Sequence, residues 1–271
     1  MTIGDWRISA LLVAVPVLAV AWWVWRRLVA KRKGRASHQS SGTMMRLDEL
    51  IPLVERLRIE AIGTPDFVRE TQAYVYKEQS AKVVAVLKLI RATQGLAAMK
   101  LLGESGLFID FGVTIRCVSD CIDEVYFLLE EFPKPSNNID KFVKGFFESK
   151  MTIDGHLSQT TPAVERAKIR SARVRYLKGK HDDATQKLLE GLYKTYSGYV
   201  HANCAQIMET FGGRARNFNL AGIPSIEERQ KRMEYVDVLT DAVLHAARFV
   251  AHTLGLTALH RDIVRSSQDA S

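Results

Sequence analysis

Apolar residues recur along most of the chain with the helical spacing i, i+3, i+4 and i+7. The first run of this kind consists of Leu47, Leu50, Ile51, Val54 and Leu57. Thr64-Pro65 then offers an N-cap followed by proline at the first helical position, which predicts a long helix reaching Leu102. Gly103 and Gly106 can end that helix.

Four further helical segments follow. The first runs from about Leu107 to Phe132 and ends before a proline. The others cover about 139–149, 161–178 and the segment after Asp182, and Ser225 with Glu228 forms a capping box for a last helix. No run alternates convincingly with period two. The pattern predicts an all-α helical bundle of five to seven helices in one domain, residues 46–264, and a disordered tail, residues 265–271.

The N-terminal segment 1–30 has the pattern of a transmembrane anchor. Ile8 to Trp25 are 18 residues without a charge, or about 27 Å as a helix. Basic residues follow directly, so the positive-inside rule predicts a single-pass helix in the inner (cytoplasmic) membrane, with the N-terminus outside and the remaining chain in the cytoplasm. The alternative is a cleaved signal peptide, with Ala19-Val20-Ala21 as its cleavage site.

Positive charge is concentrated beside this segment. The formal net charge is +8, of which residues 1–35 contribute +6 and the rest of the chain only +2. The basic composition therefore says little about the partners of the main domain. Residues 31–45 are polar and small, which is typical of a flexible linker.

The three cysteines, Cys117, Cys121 and Cys204, form no disulfide framework and fit a reducing cytosol. Their spacing is not that of a zinc knuckle, so we expect no metal and no cofactor. The sequence contains no P-loop, GxGxxG, HExxH or GxSxG string, which argues against the common nucleotide, zinc-protease and hydrolase sites.

The stretch YKTYSGYVHANC, Tyr193 to Cys204, carries the first candidate chemistry. The residues predicted to face the core from this helix are Leu189, Leu192, Tyr193, Tyr196 and Val200. His201 lies at the edge of that face with Lys194 and Ser197, because spacings of three, four and seven stack on a helix. Such a histidine is either structural, hydrogen-bonded to a neighbouring helix or a backbone carbonyl, or catalytic.

A second polar cluster lies in the helix GVTIRCVSDCIDEVYFLL. Arg116, Asp120 and Glu124 follow one another by one turn in a segment that is otherwise apolar. Buried charges are costly unless they are paired, so the spacing predicts an Arg116–Asp120 ion pair. That pair is either structural or faces a site shared with His201.

Arg116 with Asp120, followed by Tyr196-Ser197 and Val200-His201, resembles a bacterial family of unknown function related to the HEPN superfamily (higher eukaryotes and prokaryotes nucleotide-binding). The resemblance covers roughly residues 66–256. Many HEPN-like domains are metal-independent ribonucleases with an Arg-x(4–6)-His motif, and they often act as dimers. The resemblance therefore implies RNA as a ligand, a homodimer, and a role in stress response or phage defence.

The resemblance also implies roles for individual residues. His201 would be the general acid/base, and Lys194 or Arg116 would supply positive charge for a phosphate. Asp120 would orient Arg116, and Tyr196-Ser197 would supply hydrogen bonds. The chain departs from the family motif, because a lysine stands where arginine is expected, and lysine lacks the planar bidentate fork of a guanidinium.

The segment ERAKIRSARVRYLKGK contains seven basic residues. Arg166, Arg170 and Arg173 share a helix face, and with Lys180 they could bind RNA or the anionic inner membrane surface. The alternative is a helix face paired with acids of neighbouring helices, for example Glu130-Glu131.

Two functions are compatible with these patterns. One is a membrane-anchored cytoplasmic HEPN-like domain that binds or cleaves RNA. The other is a non-catalytic helical interaction scaffold held at the inner membrane surface.

Overall fold

A computed structural model describes residues 47–269 of the chain apart from 71, 131, 133–135, 149–163, 180–181 and 213–215. The helices are α1 Leu47–Ile62, α2 Ala81–Ser105, α3 Phe108–Glu130, α4 Asn137–Glu148, α5 Arg166–Lys178, α6 Asp183–Val200, α7 Cys204–Met208, α8 Ile226–Thr253 and α9 Thr257–Asp269. Two antiparallel hairpins accompany them, β1 Asp66–Val68 with β2 Ala73–Val75, and β3 Phe211–Gly212 with β4 Asn217–Phe218.

The core is built around α2, which packs against α1, α3 and α8. The sequence of α2 is apolar on several faces, which is typical of a central helix. Leu89 and Met99 of α2 and Phe111 of α3 are fully buried. A Cβ at Gly95 of α2 would lie 2.4 Å from the Val118 side chain of α3, so glycine allows these two helices to approach closely.

The end of α2 is tied to the start of α8. Gly106, as the sequence predicts, ends α2 in the left-handed conformation, with φ of 73°. The Ile223 N–H donates to the Gly106 carbonyl at 2.9 Å. The Arg229 guanidinium donates to the carbonyls of Ile223 and Glu104, at 2.7 and 3.0 Å. These bonds fix the segment that enters α8.

The helix start predicted at Thr64-Pro65 is wrong. Residues 66–75 form the β1–β2 hairpin, and α2 begins after Ser80, whose hydroxyl accepts a hydrogen bond from the first turn of the helix. Phe67 and Tyr74 face each other across the hairpin with ring centroids 5.1 Å apart, and both are exposed. Neither ring is therefore part of the hydrophobic core.

The predicted all-α bundle is confirmed, but the described residues form nine helices where the sequence predicts five to seven. Gly255, with φ of 71°, divides the predicted last helix into α8 and α9. α9 continues to Asp269, past the predicted domain end at residue 264, and Leu259 and Ile263 bury its apolar face in the core.

Among the described helices, none combines the length and the apolar character needed to cross a membrane. The predicted anchor, residues 1–30, and the predicted linker, residues 31–45, lie outside the described part of the chain.

Candidate functional site

Arg116 and Asp120 form an ion pair along one turn of α3, as their spacing predicts. Arg116 is almost completely buried, with 9% of its surface exposed. Its guanidinium lies over the ring of Tyr193 of α6, 3.7 Å from the ring centroid. Burial lowers the pKa of Arg116, and hydrogen bonding to Tyr193 opposes this effect. Arg116 therefore joins α3 to α6 in the interior of the bundle.

Tyr193 also contacts a second arginine. The guanidinium of Arg170, from α5, lies 4.1 Å from the Tyr193 ring centroid. Burial acts to raise the pKa of Tyr193, but hydrogen bonding by Arg116 and the positive charges of Arg116 and Arg170 outweigh it, so the pKa is lowered. The ring thus holds two cations from two different helices.

The basic helix α5 pairs with carboxylates of α3. Arg173 donates to Asp123 at 3.0 Å, and both side chains are nearly buried. Arg166 pairs with Glu124, which also accepts from Lys88 of α2 at 2.6 Å. Burial raises the pKa of Asp123, and the charge of Arg173 opposes it.

Arg175 extends this interface toward solvent. Its guanidinium donates to both carboxylate oxygens of Glu130, and Glu130 is the partner considered in the sequence analysis. Three of the predicted nucleic-acid-binding residues, Arg166, Arg170 and Arg173, thus contact α3 or Tyr193. The fourth, Lys180, lies outside the described residues.

Some guanidinium N–H groups of this interface lack hydrogen-bond partners among the described residues. Nε and Nη1 of Arg170 and Nε of Arg173 are buried without a hydrogen-bond partner among the described residues. Each unpaired N–H is costly in a dry interior. The interface is therefore held by charge and ring contacts more than by a complete hydrogen-bond network.

His201 caps the C-terminal end of α6 and does not belong to this buried group. Its N–H donates to the Ser197 carbonyl at 3.0 Å. Ala202 follows with φ of 48°, and Asn203 N–H reaches the Gly198 carbonyl at 3.0 Å. These bonds form a Schellman motif, in which His201 is the C-cap. Its imidazole is exposed and has no hydrogen-bond or ionic partner among the described residues.

The other motif residues of α6 face in two directions. Lys194 is exposed, whereas Tyr196 packs against the core, and burial raises its pKa. Ser197 is hydrogen-bonded to the side chain of Tyr193, which helps to lower the pKa of Tyr193. Val200, predicted on the core face, is 49% exposed.

The contact of this helix end with the core is made by Tyr199. It lies so close to Gly112 of α3 that a Cβ there would be 2.4 Å from the Tyr199 ring. Its hydroxyl also donates to Glu209 at 2.7 Å. A glycine and a tyrosine therefore set the approach of α6 to α3.

These contacts separate the candidate residues into two groups. Arg116, Asp120 and Tyr193 are packed together, whereas Lys194 and His201 lie on the exposed side of α6. Tyr193 and His201 are eight residues apart on one helix, or about 12 Å along its axis. Within the described residues His201 makes no contact with Arg116 or Asp120, so the Arg116 guanidinium does not lie beside the His201 imidazole.

Within the described residues, neither a cleft nor a group of metal ligands includes the predicted catalytic residues. A cleft of about 480 Å³ is lined by Glu130, Arg175, Tyr176 and Phe249, and none of the predicted catalytic residues lines it. Within the described ranges, no group of three His, Cys, Asp or Glu side chains is placed to hold a metal ion.

Sequence reasoning missed Asp123, Lys88 and the role of Tyr193 as an aromatic platform. One signal was available for the acids. Asp120, Asp123 and Glu124 recur at intervals of three and four in α3, and the arginines of α5 recur at the same intervals. Two complementary charged faces of this kind indicate a helix pair.

Compared with protein-family models, with curated proteins and with solved structures, the chain gives no match.

Proposed function

We propose that this protein is a non-catalytic helical interaction module, held at the cytoplasmic face of the inner membrane by residues 8–25. The observation that supports it best is the separation of Arg116 from His201. A phosphate-cleaving site of the type that the HEPN resemblance implies needs a cation beside the proton-transferring group. Arg116 is instead buried against Asp120 and Tyr193.

The electrostatics of α5 support the same proposal. A surface that binds RNA presents its cations to solvent. Arg173 is instead nearly buried against Asp123 of α3, and Arg166, although its side chain is 45% exposed, is already paired with Glu124 of α3. Ion pairs between α5 and α3 stabilise the relative position of two helices, which is a structural task.

The test combines an activity assay with membrane association. The full-length protein is incubated with mixed RNA beside His201→Ala, and His252→Ala serves as a matched control at another exposed histidine. We expect no cleavage above background from any of the three proteins. We also expect His201→Ala to shift the melting temperature by less than about 2 °C, because surface substitutions change stability by at most about 0.5 kcal/mol.

Flotation tests the anchor. The full-length chain is expected to float with lipid vesicles through a density gradient, and a variant lacking residues 1–30 is expected to float less. A full-length chain that stays in the aqueous fraction would contradict the proposal.

A second candidate is RNA cleavage by a HEPN-like domain. One observation favours it, since Lys194 and His201 are exposed, stand at the motif spacing of seven residues and have no ionic partner within the described part of the chain. In that case, wild-type cleavage would be lost in both His201→Ala and Lys194→Ala and retained in His252→Ala. That result would replace the scaffold proposal.

A further inference from the structure

An exposed apolar surface lies between α6 and α8. Phe211 and Phe218 face each other across the β3–β4 hairpin, with ring centroids 5.1 Å apart. Both rings are exposed, and Leu220 just after the hairpin is 89% exposed. Ile207 and Met208 of α7 are exposed as well. We call these five residues the hairpin surface.

Backbone hydrogen bonds fold the chain back on itself at the hairpin surface. Thr210 N–H donates to the Ile207 carbonyl at 3.0 Å, so β3 leaves directly from α7. Asn219 donates to the Thr210 carbonyl through its backbone N–H and its side chain, at 2.8 and 2.9 Å. Exposed apolar side chains clustered in this way mark a binding surface rather than scattered surface residues.

A rigid base carries the hairpin. Gly222, with φ of 103°, lies against the end of α2, where a Cβ would be 2.1 Å from the Ser105 carbonyl oxygen. The neighbouring Ile223 is bonded to Gly106 and to Arg229, as described above. A surface fixed on such a base loses little conformational entropy when it binds.

The charges around the hairpin surface favour an anionic partner. Between residues 200 and 226 the sequence contains one acid, Glu209, and two arginines, Arg214 and Arg216; Glu227 and Glu228 follow in the first turn of α8, where Glu227 pairs with Lys231 at 2.7 Å. Glu209 is paired with Arg232 at 3.0 Å and accepts a hydrogen bond from the Tyr199 hydroxyl. Arg216 is exposed and has no ionic partner among the described residues. Free positive charge therefore lies next to exposed aromatic and aliphatic side chains.

Twenty-one residues separate Trp25 from Leu47. A flexible chain of that length spans about 25 Å on average. A bundle tethered so closely meets the bilayer surface at a high effective concentration, so even a weak contact is populated.

From these observations we infer that the hairpin surface docks on the anionic lipid surface of the membrane that holds the anchor. The aromatic and aliphatic side chains enter the headgroup region, and Arg216 pairs with lipid phosphate. This inference rests on the proposed membrane anchoring and adds a second contact, which orients the bundle on the bilayer.

Hydrogen–deuterium exchange of the full-length protein in nanodiscs tests the inference. Nanodiscs of phosphatidylcholine alone are compared with nanodiscs that also contain phosphatidylglycerol. We expect amides of residues 205–222 to exchange at least about threefold more slowly in the anionic nanodiscs. Arg216→Glu and Leu220→Ser should each remove most of that protection, and the Arg216→Glu effect should shrink as salt rises.

The β1–β2 hairpin is a matched internal control. It carries an exposed aromatic pair with the same centroid distance of 5.1 Å but lies at the other end of α2. Its amides, residues 66–75, should exchange equally in both nanodiscs.

Three outcomes would overturn the inference. The first is equal exchange of residues 205–222 in both nanodiscs while the chain floats with vesicles, which leaves the anchoring intact. The second is protection that is the same in detergent and falls as the protein is diluted, because a second copy then covers the surface. The third is failure of the chain to float at all, which removes the anchoring as well.

Discussion

The buried ion pair between Arg173 and Asp123 provides the most direct test of how α5 is held to α3. The two charged groups are 3.0 Å apart, and their side chains are 13% and 8% exposed. Arg173→Met keeps much of the length and apolar surface of the side chain but removes its charge. Asp123 is then left buried without its hydrogen-bonded cation.

Coulomb's law gives the scale of the effect. At 3.0 Å and an effective dielectric constant of about 20, the attraction is about 5.5 kcal/mol. Breaking a buried pair by removing one partner destabilises proteins by about 3–5 kcal/mol. In a domain of this size we expect Arg173→Met to lower the melting temperature by about 10 °C.

The pH dependence of the variant has a definite sign. Burial already raises the pKa of Asp123 above its unfolded value, and loss of Arg173 removes a charge that opposes this rise. The native state then binds more protons than the unfolded state above the unfolded pKa of about 4. The stability of Arg173→Met should therefore fall as pH rises from about 4 until the native carboxyl is ionised.

Thermal unfolding followed by circular dichroism at several pH values is the assay. Asp123→Asn combined with Arg173→Met should be more stable at pH 7 than Arg173→Met alone, because no unpaired charge remains buried. Arg175→Met is the matched control on the same helix, since its pair with Glu130 is more exposed, and we expect a loss of at most about 1 kcal/mol. Equal losses in Arg173→Met and Arg175→Met would refute the reasoning.

Two further predictions concern helix packing and titration. Gly112→Ala places a Cβ 2.4 Å from the Tyr199 ring and should lower the free energy of unfolding by about 1–3 kcal/mol. Gly191→Ala, with open space around its Cβ, should instead stabilise α6 by up to about 1 kcal/mol. Thermal melts that rank the two variants equally would contradict this. Burial and the charge of Asp237 raise the pKa of Asp241 to about 6, so the native state retains a proton that the unfolded state has lost. Stability should therefore fall between about pH 4 and pH 7, and Asp241→Asn should flatten that slope in urea unfolding; an unchanged slope would show that Asp241 does not titrate in this way.

The regular helices could be predicted because their signals are local. Ser225 accepts the hydrogen bond from Glu228 that the capping box predicts, and Asp182 caps α6. The β1–β2 hairpin could not be predicted in this way. Its strands of three residues are too short to show a period of two, and Thr64-Pro65 is a valid helix start until the true cap, Ser80, is identified.

In the candidate site, too, contacts within one helix could be predicted from the sequence, whereas contacts between helices could not. The Arg116–Asp120 pair follows from the spacing of two residues on one helix. The contact of Arg116 with Tyr193 depends on how α6 crosses α3, which is set by the close approach of Tyr199 to Gly112. The crossing of α6 and α3 cannot be predicted from the spacing of residues within either helix. The separation of His201 from Arg116 is therefore seen only in the structure.

The distribution of charge decides which surface of this bundle is available to a partner. A basic helix such as α5 suggests a binding face, yet its arginines contact the carboxylates of α3 and the ring of Tyr193. Moving Arg166 or Arg173 to a ligand would leave Glu124 or Asp123 buried without that cation, and this cost would oppose binding. The hairpin surface carries no such cost, because its five apolar side chains are exposed before any partner arrives and the nearby Glu209 is already paired with Arg232. In the proposed docking, contact with the hairpin surface removes apolar area from water without breaking an ion pair.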